Sequence, residues 1–311
     1  MKLISIIVPC FNEEAVFSET QKRLTETMSE LPSGTYDYEI IFVNDGSKDQ
    51  TLSLIKQAAQ NNQRIKCLNF SRNFGHQLAI TAGLDHCQGD AAIVIDADLQ
   101  DPPSVMLAMI EKWSEGFDVV FGKRKDREGE SGFKLWTAKY FYKIINRLSD
   151  VDIPKDTGDF RLMDRQALNQ FLKMRESYRF VRGMVAWIGF NQTFVEYDRD
   201  SRFAGETKYP LKKMISLASD AILSFSNTPL KIATFIGFLT SVAAFIGIVY
   251  SLYIRLFTKS WVEGWTFLMI AILLIGGIIL LVLGIIGGYV GRIYGEIKQR
   301  PLYIVKDKIG F

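Results

Sequence analysis

The sequence predicts an α/β domain followed by an interfacial helix and a two-helix transmembrane hairpin. Three observations predict it. Short β-branched runs alternate with helically spaced segments through the first 125 residues, polar and acidic residues follow those runs directly, and two long uncharged apolar runs occupy the last third. Strand–helix alternation of this rhythm argues for parallel strands with crossover helices.

The strands are expected at 4–8, 39–43, 65–70, 91–95 and 118–121, and the helices between them at 15–28, 51–60, 76–86 and 104–113. Beyond residue 123 the texture is mixed, with helices expected at 133–148 and 165–174 and a strand at 193–197. At 209–225, Leu211, Met214, Ile215, Ala218, Ile222 and Phe225 fall at helical spacing opposite Lys212, Lys213, Ser216 and Asp220. Such a helix either lies in the membrane interface with its lysines toward acidic headgroups or packs on the domain.

Residues 232–254 and 265–290 contain no charged side chain and each exceeds the roughly 20 apolar residues that cross a bilayer. A short connector joins them, so both ends fall on one side. Lys208, Lys212, Lys213 and Lys231 precede the pair and Arg292, Lys298, Arg300, Lys306 and Lys308 follow it, against Arg255 and Lys259 in the connector. That excess is expected to place both termini and the α/β domain in the cytoplasm, on a multi-pass protein of the inner, or cytoplasmic, membrane. Gly284/Gly288 and Gly287/Gly291 allow close helix contact, within the hairpin or between protomers, so a homo-oligomer stays open. The expected division is a cytosolic α/β domain at 1–208, a juxtamembrane helix at 209–228, the hairpin at 229–291 and a cytosolic tail at 292–311.

Composition excludes several classes. A formal charge of +3 on 311 residues gives no reason to expect nucleic acid as a partner. Cys10, Cys67 and Cys87 have neither metal-knuckle nor disulfide spacing. The apolar stretch that ends at Pro9 is too brief for a signal core. No phosphate-binding loop of the GxxxxGK[ST] or GxGxxG type occurs, which argues against kinases, P-loop ATPases and NAD enzymes.

Ligands of such sheets bind beyond the carboxyl ends of the strands. Three strand ends carry carboxylates there: Glu13 and Glu14 after the first, Asp45 after the second, Asp96, Asp98 and Asp101 after the fourth. Asp45-Gly46-Ser47 is equally readable as a turn. Asp96 and Asp98 are not, because paired like charges at a buried edge are costly unless a cation sits between them. Hard oxygen ligands suit Mg²⁺ or Mn²⁺, completed by phosphate oxygens, so the pair implies a diphosphate ligand.

The order VPCFNEE, VNDGSKDQT, SRNFGHQLAI and DADLQDPP resembles the family 2 glycosyltransferases of the GT-A (Rossmann-like) fold. GKRKDREGES, TGDFRLMD, YRFVRGMVAWIGF and RFAGETKYPLKKM resemble the branch holding dolichyl-phosphate mannose synthases and bacterial polyprenyl-phosphate glycosyltransferases. Two C-terminal spans ending in RPLYIV are similar to its bactoprenol glucosyltransferases. The QxxRW motif of processive synthases is absent.

The resemblance implies an inverting transfer of one hexose from a nucleotide sugar, UDP-glucose by preference, to polyprenyl (undecaprenyl) phosphate. It assigns the donor nucleotide to Pro9, Asn12, Glu13, Asp45, Asp96 and Ala97. It assigns the Mg²⁺ or Mn²⁺ to Asp96, Asp98 and Gln100, and makes Asp159, with Asp98, catalytic. Arg124, Arg202 and Lys208 are either acceptor-phosphate ligands or solvated surface cations. His76 is expected to cap its helix or touch the donor, and His86 to be structural. A phosphate monoester has a second pKa of about 6 and needs little help from a base, so Asp159 is expected to orient the acceptor or support developing charge. Mannose or aminoarabinose donors, and a non-catalytic nucleotide-sugar-binding module, are the alternatives.

Overall fold

The computed structural model describes residues 1–32, 34–125, 157–200, 228–257 and 265–311. They form two compact units, one holding the N-terminal domain together with residues 300–311, the other the two apolar helices.

The first unit is built on one eight-stranded sheet. Its strands are β1 (Lys2–Cys10), β2 (Tyr36–Asn44), β3 (Ile65–Phe70), β4 (Ala91–Val94), β5 (Val119–Arg124), β6 (Thr157–Asp164), β7 (Gln192–Tyr197) and β8 (Val305–Ile309), in the order β7-β5-β6-β4-β1-β2-β3-β8. The helices are α1 (Phe17–Ser29), α2 (Thr51–Asn61), α3 (His76–His86), α4 (Val105–Ser114), α5 (Arg165–Lys173) and α6 (Val181–Trp187). The central strands are buried on both faces, which is why β1, β2 and β4 read as nearly unbroken apolar runs. Helix α1 buries Phe17, Thr20, Leu24, Thr27 and Met28, one stripe at helical spacing, against that sheet.

Strands β1 to β4 are mutually parallel, as the alternation predicts, but the whole sheet is mixed. Strand β6 is inserted antiparallel between β4 and β5, and β8 runs antiparallel along the edge of β3. Neither has the texture of a core strand. Strand β6 carries Asp159 and Arg161 inside the domain, and β8, with Lys306, Asp307 and Lys308 at its centre, alternates half-buried and exposed positions as an edge should. Residues 300–311 are therefore not a separate tail: Tyr303 stacks on Phe70, its hydroxyl donates to Asp85, and Asn69 donates to Asp307.

Two glycines set the site's geometry. A Cβ on Gly83 would lie 2.1 Å from Ile7 Cγ2, so α3 lies tight on β1 with its first residue, His76, at the strands' carboxyl edge. Gly46 has φ +67° and would meet the Arg72 backbone at 2.5 Å, so the β2 and β3 exit loops touch.

The second unit holds α7 (Thr228–Phe257) and α8 (Trp265–Ile297), which extend the expected spans at both ends except at Trp265. Thr228–Gly247 and Leu274–Ile297 are long and apolar enough to cross a membrane, with mean hydropathies of 1.8 and 2.4. Their large side chains, Phe235, Phe245 and Leu280 among them, face outward. A groove of about 500 Å³ between the helices is lined by Ala233, Thr234, Gly237 and Ser241 on α7. Among the described residues, a Cβ added at Gly284, Gly287, Gly288 or Gly291 would meet no atom within 4 Å. The helices expected at 133–148 and 209–225 lie outside the described residues.

Candidate active site

The exit loops of β1, β2 and β3 are stitched to one another. Asn12, at φ +55°, donates its amide to Ser47 Oγ at 3.0 Å and accepts from the Lys48 amide at 2.9 Å. The Glu13 amide donates to Thr51 Oγ1 at 2.9 Å. Asp45 accepts the Phe74 amide at 2.6 Å and the Gly75 amide at 2.9 Å, holding the turn that starts α3. Burial pushes the Asp45 carboxyl up, against the pull of those two hydrogen bonds. Both oxygens of Asp45 thus serve the loop. Pro9, the penultimate residue of β1, lies in register with Val43 of β2, and buried Ala97 accepts from Thr20 through its carbonyl.

Past β4 the chain turns through Leu99 at φ +58°, and Asp98 Oδ1 accepts the Gln100 amide at 3.1 Å. Asp96 is the exposed question of this edge. Its Oδ1 is closed off from solvent and accepts no hydrogen bond among the described residues. His76 Nε2 stands 3.5 Å from it, an ionic approach without hydrogen-bond geometry. Burial pushes the Asp96 carboxyl up to about 6, with Asp159, Asp101 and Asp98 adding to the rise and His76 opposing it. An orphaned carboxylate oxygen beside Asp98 fits a hard divalent cation. Gln100, expected toward that cation, gives its side-chain carbonyl to Arg199 Nη2 at 2.6 Å instead.

Asp159 has the opposite setting. Its Oδ1 accepts from Arg161 Nη2 at 3.1 Å and Arg182 Nε at 3.0 Å. Its Oδ2 meets Arg182 Nη2 at 3.2 Å, Gln77 Nε2 at 3.3 Å and His76 Nε2 at 3.3 Å. Burial alone would raise this carboxyl, but Arg182, His76 and Arg161 hold it well below the usual carboxylate range. Burial would likewise lower the His76 imidazole, yet Asp96 and Asp159 push it up to about 9. His76 is therefore a cation bridging the two carboxylates. Arg161, fully buried and lowered to about 10 by that burial, also caps the Asp159 and Gly158 carbonyls.

Arg124 does not stand free for a phosphate. It pairs with Asp101 at 3.4 Å and donates to the Tyr197 hydroxyl at 3.3 Å, while that hydroxyl donates to Asp101 at 2.5 Å. Arg202 and Lys208 lie outside the described residues. Sequence reasoning left His76 without a firm role and passed over Gln77, Arg161 and Arg182. All four lie inside the quoted motifs; His76 and Gln77 follow a strand and Arg161 stands two residues from Asp159, whereas Arg182, on α6, offered no such signal.

The profile of Glycosyl transferase family 2 matches residues 5–172. The chain belongs to this family. It is a glycosyltransferase with the α/β sheet of the GT-A type. An uncharacterized glycosyltransferase of Bacillus subtilis, YkcC, is 53% identical over 98% of this chain and 94% of its own length. The prophage bactoprenol glucosyl transferase homolog of Escherichia coli K12 is 43% identical over 97% and 98%, and the bactoprenol glucosyl transferase of Shigella phage SfV 41% over 98% of each. Among solved structures, the glucosyl-3-phosphoglycerate synthase of Mycobacterium tuberculosis with Mn²⁺, UDP and phosphoglyceric acid superposes with a TM-score of 0.45 at 18% identity, covering 71% of this chain and 76% of that one.

Proposed function

We propose that this glycosyltransferase moves one hexose, glucose from UDP-glucose, onto the phosphate of a polyprenyl carrier such as undecaprenyl phosphate, with inversion at the anomeric carbon. The observation that carries this reading is end-to-end similarity, both apolar helices included, to proteins named for glucosyl transfer to bactoprenol. A lipid-borne acceptor also gives the two helices a reason to be there. The basic excess on their outer flanks supports a hairpin with the catalytic domain on the cytoplasmic side.

In this reading the β1 and β2 exit loops, with Pro9, Asn12, Glu13, Asp45 and Ala97, form the floor for the nucleotide. Asp96 and Asp98 would hold Mg²⁺ or Mn²⁺. A bound divalent cation stabilises negative charge developing on the leaving nucleoside diphosphate. The acceptor phosphate oxygen attacks the anomeric carbon in line, the bond to the diphosphate oxygen breaks, and the electron pair leaves with it. Asp159 supports positive charge at the sugar and fixes His76 and Arg182. It does not take a proton. Its pKa lies well below the second pKa of a phosphate monoester, about 6, so transfer onto it runs uphill.

The test is nucleotide diphosphate release across a panel of nucleotide sugars, with Mg²⁺ or Mn²⁺, with and without undecaprenyl phosphate. Release from UDP-glucose alone, dependent on both metal and lipid phosphate, is expected. Release from another donor replaces the sugar, and binding without release under any condition removes the catalytic reading.

A further inference from the structure

The loop between β3 and α3, residues 71–75, supplies the two amides that Asp45 accepts and delivers His76 to the site. It has no helix or strand of its own, so its place is decided by what holds it from outside. Among the described residues its hydrogen bonds to other segments are of two kinds. The Phe74 and Gly75 amides donate to the Asp45 carboxylate and the Asn73 side chain to the Asp45 carbonyl. The Ser71 amide donates instead to the Ile304 carbonyl at 3.1 Å, in the segment 300–311 that follows α8.

Two further routes lead from that segment to the same loop. The first is aromatic. The Tyr303 ring lies 5.3 Å from buried Phe70 with the planes 14° from parallel, and Phe70 meets Phe74 edge-on at 5.5 Å. Tyr303 is fixed in turn by its hydroxyl, which donates to Asp85 of α3 at 2.6 Å, while Arg175 donates to the other oxygen of Asp85 at 2.7 Å. Burial, with Asp85 beside it, pushes the Tyr303 hydroxyl up, so it keeps the proton that this bond uses. The second route is polar. Asp307 accepts from Asn69 Nδ2 at 2.8 Å, Asn69 accepts from Asn44 Nδ2 at 2.9 Å, and buried Asn44 is the residue before Asp45. Stacked rings and hydrogen bonds to carboxylates fix geometry more narrowly than apolar cover does.

We propose that residues 300–311 are a strap that sets the donor-nucleotide floor, with Tyr303 as its main positioning residue. The inference rests on the nucleotide floor proposed above and adds that a segment beyond the two apolar helices completes it. Tyr303 acts through Phe70 and Phe74, and Asp307 through Asn69 and Asn44, so both arrive at Asp45 and the amides it accepts. The floor is thereby held from two sides, by Asp45 within the domain and by the strap along the β3 edge. Loss of the strap leaves the loop tied through Asp45 alone, which weakens donor binding and leaves acceptor binding unchanged.

The experiment uses full-length protein in detergent, with UDP binding measured by calorimetry in Mn²⁺ well below each variant's thermal midpoint, and both substrates then varied in turn. In Tyr303→Ala the Kd for UDP and the KM for UDP-glucose are expected to rise about tenfold, with the KM for undecaprenyl phosphate within about twofold. Tyr303→Phe keeps the stack and loses only the hydroxyl, and is expected to recover most of the loss. Asp307→Ala is expected to raise the same two donor constants about threefold. A folded Tyr303→Ala protein that melts earlier yet binds UDP as wild type does overturns the proposal, because the strap then serves stability alone. A rise confined to the lipid KM, or shared equally by both KM values, overturns it as well. If Tyr303→Ala does not fold, unaltered UDP affinity in Asp307→Ala overturns it. Wild-type protein that binds no UDP removes the proposed UDP-sugar donor and this inference together, whereas wild-type binding with unaltered variants removes this inference alone.

Discussion

Asp96 and Asp159 are reached by the same histidine, 3.5 Å on one side and 3.3 Å on the other, and burial raises both, yet their other neighbours leave them shifted in opposite directions. Asp96, with one oxygen orphaned among the described residues, is pushed up to about 6. Asp159, gripped by Arg182, His76 and Arg161, is held well below its ordinary range. The difference teaches what each carboxylate lacks. The protein itself supplies Asp159 with its cations, so it is finished as folded. Asp96 Oδ1 has no hydrogen-bond partner among the described residues, and in the proposed reaction a divalent ion beside Asp98 would answer it.

The largest effect should follow from breaking the finished side. Asp159→Asn removes the carboxylate paired with the fully buried Arg161, a loss of about 3–5 kcal/mol. A thermal midpoint many degrees below wild type, read in detergent without ligands, is the expected outcome. Asp96→Asn should sharpen the contrast. It loses about 10²–10³ in turnover, comparable to losing one preorganised charge-stabilising group, and abolishes stabilisation by Mn²⁺, while its metal-free midpoint stays at or above wild type. If Asp96→Asn unfolds the metal-free protein as Asp159→Asn does, the two carboxylates do not differ in the way described.

Smaller changes probe the clasp itself. Arg182→Lys keeps the charge but loses the two-pronged contact with Asp159, and should cost about tenfold in turnover with little change in midpoint. Gln77→Ala removes its contact with Asp159 and the hydrogen bond that the Val181 amide donates to it, an effect of about 1 kcal/mol, seen in midpoint before rate.

This contrast also marks how far the sequence could be read. Strands β1 to β4 and the helices between them were legible because buried central strands must be apolar throughout, and helix α3 falls on the expected residues 76–86. Strand β6 was not, since Asp159 and Arg161 neutralise each other inside the domain and interrupt any apolar run. Strand β8 lies far along the chain from β3, and local pattern carries no record of that pairing. At the site, paired acids announced themselves because like charges demand an explanation. Isolated cations did not: His76 and Arg182 become meaningful only when folding brings them to Asp159. Arg124 read as either a phosphate ligand or a solvated surface cation, because Asp101 and Tyr197 meet it only in three dimensions.

The central claim is that Asp159 is a charge clamp and not a base, and the pH profile of Asp159→Asn against wild type tests it most directly. With undecaprenyl phosphate as acceptor, the ratio of wild-type to variant kcat/KM should stay flat from about pH 5.5 to 8.5, both following the acceptor's second ionisation near 6. A variant that recovers steeply toward wild type as the acceptor ionises would contradict the account and return Asp159 to the role of general base.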